Sequence, residues 1–191
     1  MRFVLLFIEA KGLTFLLDML SQMDYRVRQS EEHLSTIKCI SSLMNNTHGL
    51  KCVISHPDSM TIIAQSLHTT DIPTKIRVLE ILGGVCLIPE GHRKVLHALS
   101  QFCSFAGERF RFQTILSELA RDTQMGNLDI DCKIAALGLV NAAICAGPGR
   151  EDIGFRLHIR HEVLMLGIEP IMDALKAYVA PTFCLSMNAT K

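Results

Sequence analysis

The sequence predicts an all-α fold assembled from repeated helical units, and three observations carry that expectation. Apolar residues recur at i, i+3, i+4 and i+7 along most of the chain, the spacing that lines one face of an α-helix. No convincing strand pattern occurs. Gly12, Gly49 and Gly91 each precede a pair of apolar residues four and five positions on: Leu16/Leu17, Val53/Ile54 and Val95/Leu96.

The elements follow in order. Phe3 to Ala10 reads as the tail of a helix without an N-cap, so the chain is expected to start in mid-helix as a fragment or variant start. Leu13, Leu16, Leu17 and Leu20 mark a second helix, and Ser21 to Gln29 a polar connection. Ser30 is the expected N-cap of a long helix carrying Leu34, Ile37, Ile40 and Met44, with Glu31 and Glu32 at its positive end. Gly49 opens a short helix closed by His56-Pro57, and Asp58 caps the next. Within the stretch TKIRVLEILGGVCLIPEGH, residues 74–92, a central helix is expected over 74–88 on Val78, Ile81, Leu82 and Val85, and Pro89 stops it. Leu96, Leu99 and Cys103 mark a helix fraying near Gly107, and Phe112, Ile115, Leu116 and Leu119 another. Residues 122–129 read as a loop. Ile130, Ile134, Leu137, Val140 and Ile144 describe a long buried helix ending at Gly147-Pro148-Gly149. Ile159, Val163 and Leu166 precede a stop at Gly167, and Ile171, Met172 and Leu175 supply the last helix.

The glycine-led intervals of 37 and 42 residues fall in the range of armadillo or HEAT units. Each unit is expected to hold a short helix, a second helix and a long third one, at 30–45, 74–88 and 130–146. Such units stack into a right-handed superhelix whose third helices line a concave groove. Gly83-Gly84 lies on the middle wall. Two glycines there cost roughly 0.5–1 kcal/mol each relative to alanine. They serve either tight packing within the chain or close approach of a partner.

With 191 residues, 49% of them hydrophobic, the chain can bury a core without staples. Nineteen basic residues balance nineteen acidic ones, which recommends neither nucleic acid nor an anionic membrane as partner. Seven cysteines lie mostly within apolar segments and form no CxxC, the pattern of reduced buried thiols in a cytosolic protein. The apolar run near Met1 is too short for a signal sequence and lacks a cleavage site, and no stretch is long enough to span a membrane.

Chemistry is sparse. Cys39, His48, Cys52 and His56 are the best metal-like set but lack a close Cys pair, so no metal and no cofactor are expected. His158 and His161 read as helix-surface residues. The Asn45-Asn46-Thr47 and Asn188-Ala189-Thr190 sequons have no meaning in the cytosol. Gly147-Pro148-Gly149 lacks the ending of a phosphate loop. Asn45, closing a third helix, either caps it or offers an amide to the groove. Asn141, inside an apolar helix, reads as a buried amide needing a partner from this protein or from a bound backbone.

The segments FIEAKGLTFLLDML, LMNNTHGLKCVISHPDSMTIIAQSL, TKIRVLEILGGVCLIPEGHRKVL, ERFRFQTILSEL and FRLHIRHEVLMLGIEPIMDAL, in that order, resemble the armadillo-repeat region of Diaphanous-related formins, in particular the Dishevelled-associated activators of morphogenesis. The resemblance runs from Phe3 to Leu175. It implies a Diaphanous inhibitory domain over 1–177, N-terminally incomplete, with a divergent or truncated tail at 178–191. In that family the region binds the formin's own C-terminal autoregulatory segment, an amphipathic helix with a Leu-rich face and a basic tail. Rho-family GTPases displace that helix, and actin is engaged through other domains. The resemblance places the groove contacts on Asn45, Gly84, Leu87, Ile88 and Asn141. It also implies that the GTPase-binding segment preceding this region is absent, which puts GTPase binding in doubt. A generic armadillo scaffold for another helical ligand is the alternative, and an enzyme using a Cys or His a third reading.

Overall fold

The computed structural model describes residues 2–121 and 126–176, and every described element is helical. In chain order these are α1 (Arg2–Glu9), α2 (Gly12–Gln22), α3 (Glu31–Met44), α4 (Thr47–Ser55), α5 (Ser59–Gln65), α6 (Ile72–Cys86), α7 (Gly91–Ala106), α8 (Gln113–Ala120), α9 (Asn127–Cys145) and α10 (Ile153–Met165), followed by a helix over 168–176, α11. Short 3₁₀ turns occupy Val27–Gln29 and Gly147–Arg150. The expected tail at 178–191 lies outside the described residues.

Layering follows from which helices touch. The long helices α3, α6 and α9 lie side by side, α6 packing on α3 and most extensively on α9. Behind them α2 meets α5, α5 meets α7, and α1 meets α4. This is the three-helix stacking of an armadillo-type solenoid. One continuous apolar core runs through it, with Leu17, Ile37, Ile63, Leu82, Leu99, Phe102, Ile115 and Leu139 all but sealed from solvent.

The repeat has a different frame from the one expected. Gly49, Gly91 and Gly149 are the equivalent positions. A methyl group on each would sit 2.1, 2.1 and 2.0 Å from the carbonyl oxygen of Leu43, Val85 and Ile144, respectively. Each glycine lets the chain fold back against the end of a long helix, where no Cβ fits. Gly12 instead packs against the Phe7 ring and opens the second helix of its unit. The apolar doublet after it imitates the pattern because any amphipathic helix places two buried residues together.

Local signals at the helix ends mostly act as the sequence suggests. Asn46 caps α4 by accepting from the His48 and Gly49 amides, at 2.9 and 3.4 Å, and Asp71 caps α6 by accepting from the Thr74 amide at 2.9 Å. Gly107 ends α7 in the left-handed conformation. Ser30 stands at the N-cap of α3, but its hydroxyl turns back to donate to the Val27 carbonyl. Helix α6 ends at Cys86, not at 88, leaving Leu87 and Ile88 in the following turn. Helix α9 begins at Asn127, within the expected loop, and the Arg121 guanidinium donates to the buried Asp129 carboxylate in its first turn.

The buried face of α9 is also rotated from the expected stripe. Ile130 and Ile134 are exposed, while Cys132, Ala136, Leu139, Val140 and Ala143 are buried. Small residues make that face, so α6 approaches closely, and the larger isoleucines fall outside the contact.

The connection between α2 and α3 is no mere polar linker. Arg28 is buried, donates to the Met23 and Gln65 carbonyls at 3.1 and 2.8 Å, and lies over the Phe105 ring. Its own carbonyl accepts from the Thr69 hydroxyl at 2.6 Å. The turn thereby clamps the first unit to the α5–α6 loop.

Candidate functional site

Two clefts run between the long helices and meet along one stripe of α6. The first, of about 390 Å³, lies between α6 and α9 and is walled by Leu79, Gly83, Gly84 and Leu87 on one bank and Ala135, Gly138 and Asn141 on the other. The second, of about 270 Å³, lies between α3 and α6, with Ser41, Met44 and Asn45 facing Ile81, Gly84 and Ile88. Glu80 and Gly84 line both. Residues 80, 84 and 87 recur at helical spacing, so the α6 stripe forms the groove's floor.

The paired glycines divide their tasks. A methyl on Gly83 would lie 3.6 Å from the Leu139 backbone, in ordinary van der Waals contact, so this position faces α9. A methyl on Gly84 would meet none of the described residues within 4 Å beyond its own helix. Gly83 thus faces the neighbouring helix, while Gly84 opens into the cleft. Gly138 is equally open, one turn before Asn141. A pair of open glycines faces one cleft from its two banks.

All five expected groove residues come together here. Asn45, Gly84 and Ile88 line the α3–α6 cleft, and Gly84, Leu87 and Asn141 the α6–α9 cleft. Leu87 is 60% exposed, an apolar side chain left in solvent on the turn after α6. Asn45 is the C-cap residue of α3 by backbone, yet its side chain is exposed and free of any hydrogen bond to the described residues. Asn141 is not the buried amide expected. It is exposed, and among the described residues its oxygen accepts only from the Cys145 thiol at 3.5 Å. The rotation of α9 explains this, since it turns residues 134, 138 and 141 outward together.

Glu80, Gly138 and Ala135 escaped the sequence reading. Glu80 pairs with Arg77 at 3.0 Å and adds a carboxylate to an otherwise mostly apolar floor. Gly138 carried a legible signal, a glycine within an Ala-rich helix at helical spacing from Asn141. Cys39, His48, Cys52 and His56 are not gathered: among the described residues no three His, Cys, Asp or Glu side chains converge on a metal position. The thiols most deeply set within the core are subdued. Burial pushes Cys86 up to about 12, and burial together with the Glu118 charge pushes Cys132 up to about 11. No described helix is long and apolar enough to cross a membrane.

Stacked three-helix units with a groove along their long helices define an armadillo-type solenoid. Two family models match the chain in tandem, the Diaphanous GTPase-binding Domain over residues 1–87 and the Diaphanous FH3 Domain over residues 92–183. The chain is 49% identical over 93% of its length to Disheveled-associated activator of morphogenesis 2 of Gallus gallus, covering 17% of that protein, and 46% identical over 93% to Disheveled-associated activator of morphogenesis 1 of Homo sapiens, covering 16%. It is 33% identical over 73% of its length to Formin-like protein 2 of Homo sapiens, covering 12% of it. The chain belongs to the Diaphanous-related formins and corresponds to their regulatory GTPase-binding and FH3 region. It spans about one sixth of the length of the first two relatives.

The GTPase-binding segment was expected to lie upstream and to be absent, whereas the matching model covers α1 to α6. The two matched regions abut in the turn after α6, and the α6–α9 contact joins them across it.

Proposed function

We propose that this chain is a non-enzymatic regulatory module that holds a formin closed by binding the formin's own C-terminal autoregulatory helix in the groove over α3, α6 and α9. The observation that carries this reading is the notch at Gly84 and Gly138, open on both banks and flanked by Leu87, Ile88 and the exposed amides of Asn45 and Asn141. An amphipathic helix binds such a groove by seating apolar anchors where small residues leave room, while amides pair its polar groups. Glu80 offers a charge partner to a basic tail.

Residues 1–87 are the surface for a Rho-family GTPase, which relieves the autoinhibition; the match to a GTPase-binding model supports this. Actin nucleation and elongation are controlled indirectly, through parts of the formin outside this chain. The module acts in the cytoplasm with the cytoskeleton and uses no cofactor.

Fluorescence-anisotropy titration against a labelled formin autoregulatory peptide tests the reading, with Gly84→Asp as control. Saturable binding lost in the variant is expected. Binding indifferent to the substitution moves the site elsewhere, and no binding by the folded chain removes the inhibitory role. A Cβ at Gly84 meets none of the described residues within 4 Å beyond its own helix, so an unchanged circular dichroism melt of the variant is expected and separates lost binding from lost folding. A generic armadillo scaffold would ignore this peptide and capture a different helix. Addition of a GTP-loaded Rho-family GTPase is expected to release the bound peptide.

A further inference from the structure

A second concave site lies between α5 and α7, in the layer behind the long helices. It encloses about 410 Å³ and is lined by Pro57, Met60, Thr61, Arg93, Lys94 and His97, none of which lines either groove cleft. Arg93 and His97 stand at i and i+4 on one face of α7, both exposed. Neither makes a hydrogen bond or ion pair with any described residue, and the half-buried Thr61 hydroxyl opposite is also without one. Lys94 is anchored by donating to the Ile54 carbonyl at the end of α4, which holds its charge at the site. Among the described residues no Asp or Glu lines the pocket, so its positive charge is not cancelled from within.

We propose that this pocket takes a phosphate monoester, the phosphorylated side chain of a protein partner. Its free donors come from three side chains on two helices. A tetrahedral anion with three terminal oxygens can meet a guanidinium, an imidazole and a hydroxyl at once, whereas a flat carboxylate is satisfied by the arginine fork alone. A phosphate carries about −1.5 to −2 charges at neutral pH, which Arg93 and Lys94 match. Pro57 and Met60 supply an apolar wall for the carbon stem. The recess also argues for a side chain over a membrane surface, because lipid attraction relies on about four to eight clustered basic residues, and this chain is net neutral.

The test is an amide NMR titration of the 191-residue chain with N-acetyl-O-phosphoserine amide, with N-acetylserine amide and inorganic phosphate in parallel. Saturable shifts confined to residues 57–61 and 93–97 are expected with both phosphates and not with the unphosphorylated compound. Arg93→Gln should weaken binding about tenfold and Thr61→Val by about twofold to threefold, while Lys38→Gln on α3 leaves it unchanged. Arg93 is exposed and unpaired, so an unaltered circular dichroism melt is expected for the variant. Shifts that never saturate or spread over lysines elsewhere would overturn the proposal. So would indifference to Arg93→Gln, or binding only to phosphatidylcholine vesicles carrying phosphatidylinositol bisphosphate.

Discussion

The seams on either side of α6 are built differently. Toward α9 the helix presents Gly83 to the Leu139 backbone, and α9 answers with Ala135 and Ala142, so the contact is extensive. Toward α3 the facing side chains are larger, Met44 against Ile81 and Ile88, and the contact is slighter. Small residues thus do two opposite things on one helix. At Gly83 the helix faces α9 at contact distance for a methyl, and at Gly84 it faces open space. The α6–α9 seam holds the module together, and the stripe between the two seams is free for a ligand.

The sharpest expected contrast is chemical. Cys86 lies under the α6 end with its thiol pushed up to about 12, while Cys145 is exposed on the outer face of α9. A thiol-reactive probe at neutral pH should modify Cys145 and the exposed Cys39 at least about a hundredfold faster than Cys86, since the thiolate is the reacting form. Peptide mass spectrometry at timed quenches measures this, and equal rates would mean that the seam opens readily. Among stability changes, Leu139→Ala should cost most, about 2–5 kcal/mol by urea denaturation, because its fully buried side chain fills the seam.

Gly83→Leu should cost about 1–3 kcal/mol by overpacking against α9. Gly84→Ala, one residue on, should instead raise stability by about 0.5–1 kcal/mol, through helix propensity in open space. A loss at both positions would erase the distinction between the two glycines. Asn141→Ala should change stability by less than about 0.5 kcal/mol, as exposed residues do, while weakening the autoregulatory peptide. A large loss of stability would instead restore the buried amide that the sequence suggested.

Much of the groove was legible in advance because its residues declare themselves chemically. A glycine pair in a helix costs stability, so it asks for a reason, and Leu87 and Ile88 came with the family resemblance. Asn141 lies on the bank of the cleft but is exposed, not buried as expected, since an amide among apolar neighbours looks buried from periodicity alone. Glu80 was passed over because a carboxylate on a helix reads as ordinary solvent-facing polarity. Arg28 was lost for a similar reason: nothing local distinguishes a charged residue in a polar connection from one whose donors are taken up by distant carbonyls.

The sequence by itself determined where the helices lie, where most of them stop and that they form repeated units. Periodicity, caps and glycines act within a few residues, so their consequences can be read without knowing the neighbours. Only the tertiary structure decided which face of α9 is buried, which glycines are the true repeat positions and which of Gly83 and Gly84 remains open. Those outcomes depend on how closely a second helix approaches. That distance is set by the summed fit of side chains far apart in the chain, and no single segment carries it.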